Sequence, residues 1–402
     1  MTTTTPETAR TTVPTEPGKP RRPRLRIDFR QYGILAALAV IIILFQILTE
    51  GRLLFPGNVN NLIQQNAYVL ILAIGMVIVI IAGHIDLSVG SIVAVVGAIA
   101  GLAMQQWGLP WWSAVLLAVL AGALIGAWQG FWVAFVGIPA FIVTLAGMLV
   151  FRGFALVLLT GGTISGLPRE FNAIGSGALP TVGMPDLVTL AIGAVVSIAL
   201  VAQQLRTRAT LRRLDLPRER AVSFWIKIGI AVAAIMYLCY LLSYNRGTPI
   251  ILLILAALIL IYSFVLNRTV FGRHVYAMGG NLFAAQMSGV KTRWVNFMIF
   301  VNMGLLAGLA GVVSTARAGS AVASAGSSFE LDAIAAVFIG GAAVQGGVGT
   351  VVGAVIGGLV MGVLNQGLSI LSVDAAWQQV IKGLVLLLAV AFDVYSKRRS
   401  GR

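Results

Sequence analysis

Residues that could do chemistry are few in this chain, and they are scattered. The two histidines, His84 and His274, lie far apart on separate segments. There is no HExxH, no GxSxG and no Cys/His spacing suited to zinc, so the patterns of metal-assisted hydrolysis and of a nucleophile elbow are missing. A GxxxxGK[ST] phosphate loop is also missing, which excludes ATP hydrolysis by that route. The single cysteine, Cys239, allows no internal disulfide. No catalytic residue, metal ligand or cofactor can be assigned to the chain on these patterns.

Other polar residues stand out because of their surroundings. Gly83-His84-Ile85-Asp86-Leu87-Ser88-Val89-Gly90 interrupts two long apolar runs. A carboxylate at membrane depth costs about 2.5–3.5 kcal/mol on insertion scales, so Asp86 needs a reason. One reading is a broken helix lining a pathway. The other is a short cytoplasmic turn in which Asp86 or Ser88 caps the next helix. Arg152 and Lys382 lie inside apolar runs, where each could snorkel to an interface or pair with a carboxylate such as Asp393. Gln129, Asn302, Asn365 and Gln366 are amides within such runs, suited to hydrogen-bonding a polar solute or to gluing helices together. Asp86, Ser88, Asn302 and Asn365 are the candidate pathway residues.

The elements that must hold these residues follow from composition. Of 402 residues, 58% are hydrophobic and 10% charged, with a mean hydropathy of +0.95. A soluble domain carries about 25% charged residues. The 46 glycines have no three-residue period, which excludes a collagen-like fibre. A hydrocarbon core about 30 Å thick needs about 20 apolar residues in a helix, and helices satisfy every backbone polar group inside lipid. Apolar runs near 33–49, 64–83, 88–104, 111–135, 139–160, 186–204, 224–244, 248–267, 294–315, 330–346, 351–372 and 377–395 give twelve candidate crossings. The expected fold class is therefore all-α, a polytopic transmembrane bundle of about 10–12 helices.

Charge sets the orientation. The basic residues behind the net charge of +15 cluster in gaps between apolar runs and at the two ends, a topology signal rather than a nucleic-acid footprint. With the N-terminus in the cytoplasm, 21 of the 28 basic residues fall in the N-terminal tail, the loops 205–223 and 268–293, and the C-terminal tail. The expected organisation is a disordered cytoplasmic tail over 1–31, a membrane domain over 32–396 and a cytoplasmic tail over 397–402, with both termini cytoplasmic. The weakest crossing is 330–346, which is short and holds Glu330, Asp332, Gly340 and Gly341. It reads as broken or re-entrant, yet removing it alone would strand Lys397, Arg398 and Arg399 outside. Spacings such as Gly349/Gly353 and Gly358/Gly362 favour close helix approach.

The loop 268–293 combines glycine breaks with a short helix-prone stretch and the apolar Leu282, Phe283 and Met287. A helix held there against the membrane could dock a partner protein. Its sequence, FGRHVYAMGGNLFAAQMSGV, resembles the cytoplasmic coupling region of ABC importer permeases for pentoses and related sugars. GHIDLSVGS at 83–91, PAFIVTLAGMLVFRG at 139–153 and ELDAIAAVFIGGAAVQGGVGTVVGAVIGG at 330–358 agree with that family, and the added segment near 186–245 is similar to its longer, xylose-type members. The resemblance implies a multi-pass protein of the bacterial plasma membrane, surrounded by lipid and working as a homodimer. It further implies two ATPase subunits beneath, which bind ATP and Mg, and an extracytoplasmic sugar-binding protein above. It places the coupling helix within about 279–289, with Gly272, Arg273, Gly280, Asn281, Ala285, Ser288 and Gly289 matching the motif. Gln286 departs from it, since the family often has a basic residue there. Permeases for nucleosides or branched-chain amino acids are the near alternatives. An ion-coupled transporter would need Asp86 or Asp332 as its ion site.

Overall fold

The computed structural model describes residues 29–216 and 220–399, with side chains described for 33–216 and 220–391. The remaining residues of both tails, and the side chain of Asp393, lie outside the described residues. Fifteen helices appear among the described residues: α1 (Phe29–Leu48), α2 (Pro56–Ile81), α3 (Val89–Gln105), α4 (Trp111–Phe131), α5 (Ala140–Leu158), α6 (Arg169–Ser176), α7 (Leu187–Arg213), α8 (Ala221–Ser243), α9 (Ile250–Arg268), α10 (Val270–Gly280), α11 (Leu282–Met287), α12 (Thr292–Ala318), α13 (Phe329–Ile339), α14 (Val351–Ile370) and α15 (Ala375–Arg399). Eight are long and apolar enough to cross a membrane, and shorter apolar helices cover 33–48, 89–105 and 375–391. With α13 they correspond to the twelve predicted runs. The chain is a polytopic helical membrane protein.

Burial ranks the helices. The most apolar window of α2 is 89% buried, against 17% for α7. The centre of the bundle is α2, flanked by α12, α14, α13 and α9, while α7 and α8 pack mainly on each other at the periphery. Exposed Leu, Ile, Val and Phe side chains on α4, α5, α7 and α9 point outward from the bundle, as expected of helices in lipid. The basic loop predicted at 205–223 is largely helical, because α7 runs on through Arg206, Arg208, Arg212 and Arg213.

The tightest crossing joins α4 to α12. Gly122 and Gly126 on one helix meet Gly304 and Gly308 on the other, so close that a Cβ on Gly122 would lie 2.5 Å from the Gly304 carbonyl oxygen. Small residues four apart let two backbones touch, and dispersion contact then replaces the missing hydrophobic drive between helices in lipid. Gly304→Leu should prise α4 from α12 and cost at least the 1–3 kcal/mol typical of overpacking. The expected result is a clear drop in melting temperature in detergent, with Gly229→Leu, which meets nothing within 4 Å, close to wild type.

Two crossings are interrupted. The 26 residues of α2 rise about 39 Å at 1.5 Å each. The chain then turns at Gly83 (φ +85°) and runs without helix through Ser88 before α3 begins. The second interruption follows α12. Residues Ser320–Val322 form strand β2, paired antiparallel with strand β1 (Thr163–Ser165), and a turn over 323–328 leads into α13. The helix expected over 330–346 thus ends at Ile339, because Gly340-Gly341 and the left-handed turn at Gly341 (φ +85°) stop it. Its 11 residues span about 16 Å, half a bilayer. The segment ahead of it, 319–328, holds only strand β2 and turns. Irregular backbone at membrane depth is tolerated only inside protein or beside water. Here the two interruptions cover each other: Gly90, in the first turn of α3, packs backbone to backbone on Gly326.

Candidate functional site

The basic loop 268–293 folds as a shelf of two short helices. Thr269 starts α10 by accepting from the Gly272 N–H at 3.3 Å. Gly272 has no room for a side chain against the last turn of α9. Gly272, Val275 and Met278, spaced three apart, are buried and turn one face of α10 to the bundle. On that face the Tyr276 hydroxyl donates to the Gly349 carbonyl at 2.7 Å, and burial pushes its phenol pKa up. Gly279 lies flat on the Ile81 carbonyl and the Gly347 backbone, while the Gly347 N–H donates to Ile81 O at 2.8 Å. α10 is therefore clasped to the last turn of α2 and to the loop after α13, the basic-side ends of both interrupted crossings.

Beyond the clasp, Asn281 caps α11 by accepting from Ala284 N–H at 2.9 Å. Ala285 is buried, the Ser288 hydroxyl donates to Ala284 O, and Gly289 (φ +82°) turns the chain back toward α12. Leu282, Phe283 and Met287 remain 49%, 71% and 75% exposed. Arg273 is exposed on the neighbouring turn of α10. Gln286 reaches Thr292 Oγ1 at 3.4 Å. The residues singled out in the sequence thus gather on one shelf, but they differ in kind. Gly280 faces open space, whereas its neighbour Gly279 makes the close contact. Sequence reasoning missed Gly279, Tyr276 and Gly347. The doubled glycines at 279–280 and 346–347 were the available signal.

The candidate pathway residues do not converge. Asp86 is 1% exposed, and its Oδ1 accepts from the Ser88 N–H (2.8 Å) and hydroxyl (2.6 Å). Gln129 on α4 donates to Ser88 Oγ at 2.6 Å. Asp86 thus closes a turn on Ser88, and neither side chain caps the first turn of α3; Asp86 and Ser88 are buried, while Gly83 is exposed and His84 and Ile85 are half-buried. Asn302 accepts from the Tyr262 hydroxyl between α9 and α12. Asn365 donates to Asn66 at 3.3 Å between α14 and α2. A cavity of about 430 Å³ opens beside the first interruption, lined by Gly83, His84, Ile85, Pro139, Phe141 and Asn296, with His84 Nε2 3.0 Å from Asn296 Oδ1.

The second interruption is held by ions. Arg152 on α5 donates to the carbonyls of Ala323 and Ala325, both at 2.7 Å. Lys382 on α15 pairs with Asp332 on α13 at 3.2 Å, and Tyr68 on α2 donates to the same carboxylate oxygen at 3.3 Å. The partner of Lys382 is thus Asp332, across the bundle. Arg152→Gln should lose charge-assisted hydrogen bonds of about 1.5–3 kcal/mol and lower the melting temperature, with Arg152→Lys intermediate. Among the described residues no three His, Cys, Asp or Glu side chains converge as a metal site would.

A membrane bundle with interrupted crossings braced on a basic-side shelf is built as a permease. The chain belongs to the family described as branched-chain amino acid transport system / permease component, which it matches over residues 58–390. It is 39% identical to the xylose transport system permease protein XylH of Haemophilus influenzae, over 93% of this chain and 98% of that protein. It is 38% identical to XylH of Escherichia coli K12, over 93% and 94%. Its identity to the ribose import permease protein RbsC of Bacillus subtilis is 36%, over 94% and 98%. No solved structure matches.

Proposed function

We propose that this chain is the channel-forming subunit of an ATP-binding-cassette importer for a monosaccharide, xylose or a related pentose. Full-length similarity to xylose and ribose permeases supports the substrate class. A neutral sugar needs hydrogen-bonding groups and no titrating relay. The carrying observation is the shelf: exposed Leu282, Phe283 and Met287 sit on α11, directly after α10, which is clasped to both interrupted crossings. An ATPase subunit docks on those side chains, with Gly272, Arg273, Gly280, Asn281, Ala285, Ser288 and Gly289 shaping the site. ATP and Mg are held by that partner, and an extracytoplasmic binding protein delivers the sugar. The permease works as a homodimer by alternating access.

The test is uptake of labelled xylose by proteoliposomes holding the chain, its ATPase and its binding protein. Uptake should require ATP and persist with a protonophore; uptake that survives without the ATPase but stops with a protonophore would reverse the reading. Phe283→Asp should abolish co-purification of the ATPase while leaving membrane insertion intact.

A further inference from the structure

One notch, mainly apolar with a few polar groups, is left over by the shelf and the clasp. It measures about 260 Å³ and lies between α13 and α15, with Met361 of α14 as its floor. Its two walls are written in the same spacing. Ser328, Leu331, Asp332 and Ala335 supply one, and Gln379, Lys382, Gly383 and Leu386 the other. Each set runs i, i+3, i+4, i+7, the stripe that one helix face presents. The notch reaches the surface, because Leu331, Gln379 and Gly383 are exposed.

That exposure is at odds with lipid. Gln379 and Lys382 sit one and two turns into α15, and Asp332 sits in the first turn of the half-helix that starts inside the bundle. Asp332 is buried, but the partly exposed Lys382 ammonium facing hydrocarbon there would cost about 2.5–3.5 kcal/mol. The ammonium leaves capacity unused. Lys382 has three donors with only Asp332 accepting among the described contacts, while Asp332 Oδ1 is sealed inside the protein. Leu331, Ala335, Met361 and Leu386 give apolar surface around these groups. A few placed polar groups over apolar walls suit a small polyol, whose hydroxyls donate and accept and whose C–H faces are apolar. The volume lies below the roughly 300–1,000 Å³ of drug-sized pockets, which favours a single monosaccharide unit.

We infer that this notch faces water rather than lipid and is a hydroxyl-recognition site for the transported sugar, with Gln379, Lys382 and Ser328 making the contacts. The inference rests on the importer reading and adds the residues that meet the solute.

Thiol labelling tests it without using ATP. Cys239, the only native cysteine, is buried and is replaced by serine. Gln379→Cys and Leu384→Cys are then introduced separately into the full complex in membranes; Leu384 is 54% exposed on the same helix. A charged, membrane-impermeant thiol reagent should modify Gln379→Cys at least tenfold faster than Leu384→Cys, and millimolar xylose should slow the former several-fold. Equal, slow labelling of both overturns the aqueous face. Fast labelling unmoved by xylose, ribose or any other monosaccharide overturns the sugar site. If the wild-type complex shows no ATP-driven uptake, the importer reading fails instead, and the labelling result then stands apart from it.

Discussion

Gly279→Val should give a complex that assembles and hydrolyses ATP but moves sugar at a tenth of the wild-type rate or less. A Cβ at this position would collide with the Ile81 carbonyl and sit 2.5 Å from the Gly347 nitrogen. Backbone cannot yield as a flexible side chain does, so α10 must lift away from both interrupted crossings. The docking residues of α11 lie on the far side and stay available. Gly280→Val is the comparison, since nothing lies within 4 Å of that position. It should spare the isolated permease and disturb only the seat of the ATPase. Tyr276→Phe removes the single hydrogen bond to Gly349 and should lower sugar moved per ATP by less than Gly279→Val does. The measurement is the ratio of uptake to phosphate release in proteoliposomes. An unchanged ratio in Gly279→Val would show that the clasp transmits nothing.

The second large effect concerns Asp332 and Lys382. Their side chains are 3% and 23% exposed, and removing one partner leaves the other charge stranded. Breaking such a pair typically costs about 3–5 kcal/mol. Lys382→Met should therefore lower the melting temperature sharply or abolish expression. Because the desolvation cost of two ions can exceed their attraction, Lys382→Met with Asp332→Leu should recover most of the lost stability. Recovery of fold without recovery of uptake would separate the pair's structural role from its place in the solute notch. A double variant as unstable as the single one would mean that the carboxylate is also needed by Tyr68, which donates to it at 3.3 Å.

Much of this architecture is written in local composition. Run length located the twelve apolar segments that fold as helices, and the acid-and-glycine content of 330–346 marked the one that stops short. What local patterns could not carry was partnership across the bundle. Lys382 finds Asp332 fifty residues away. Gln129 meets Ser88 across 41 residues, and Asn302 turns to Tyr262 rather than to the other pathway candidates. Likewise the doubled glycine 279–280 announces a special backbone, but only the position of Ile81 tells which member is pressed against it.

The contact between Gly90 and Gly326 has a kinetic corollary. Each belongs to a different interrupted crossing, and neither has a side chain to cushion the touch. At their other ends the same two crossings share α10 through Gly279 and Gly347. Two levers joined at tip and root keep a single degree of freedom. Reporters placed on Ile85 and on Ala325 should therefore relax with one common rate constant after ATP is added, as the two hands of one clock.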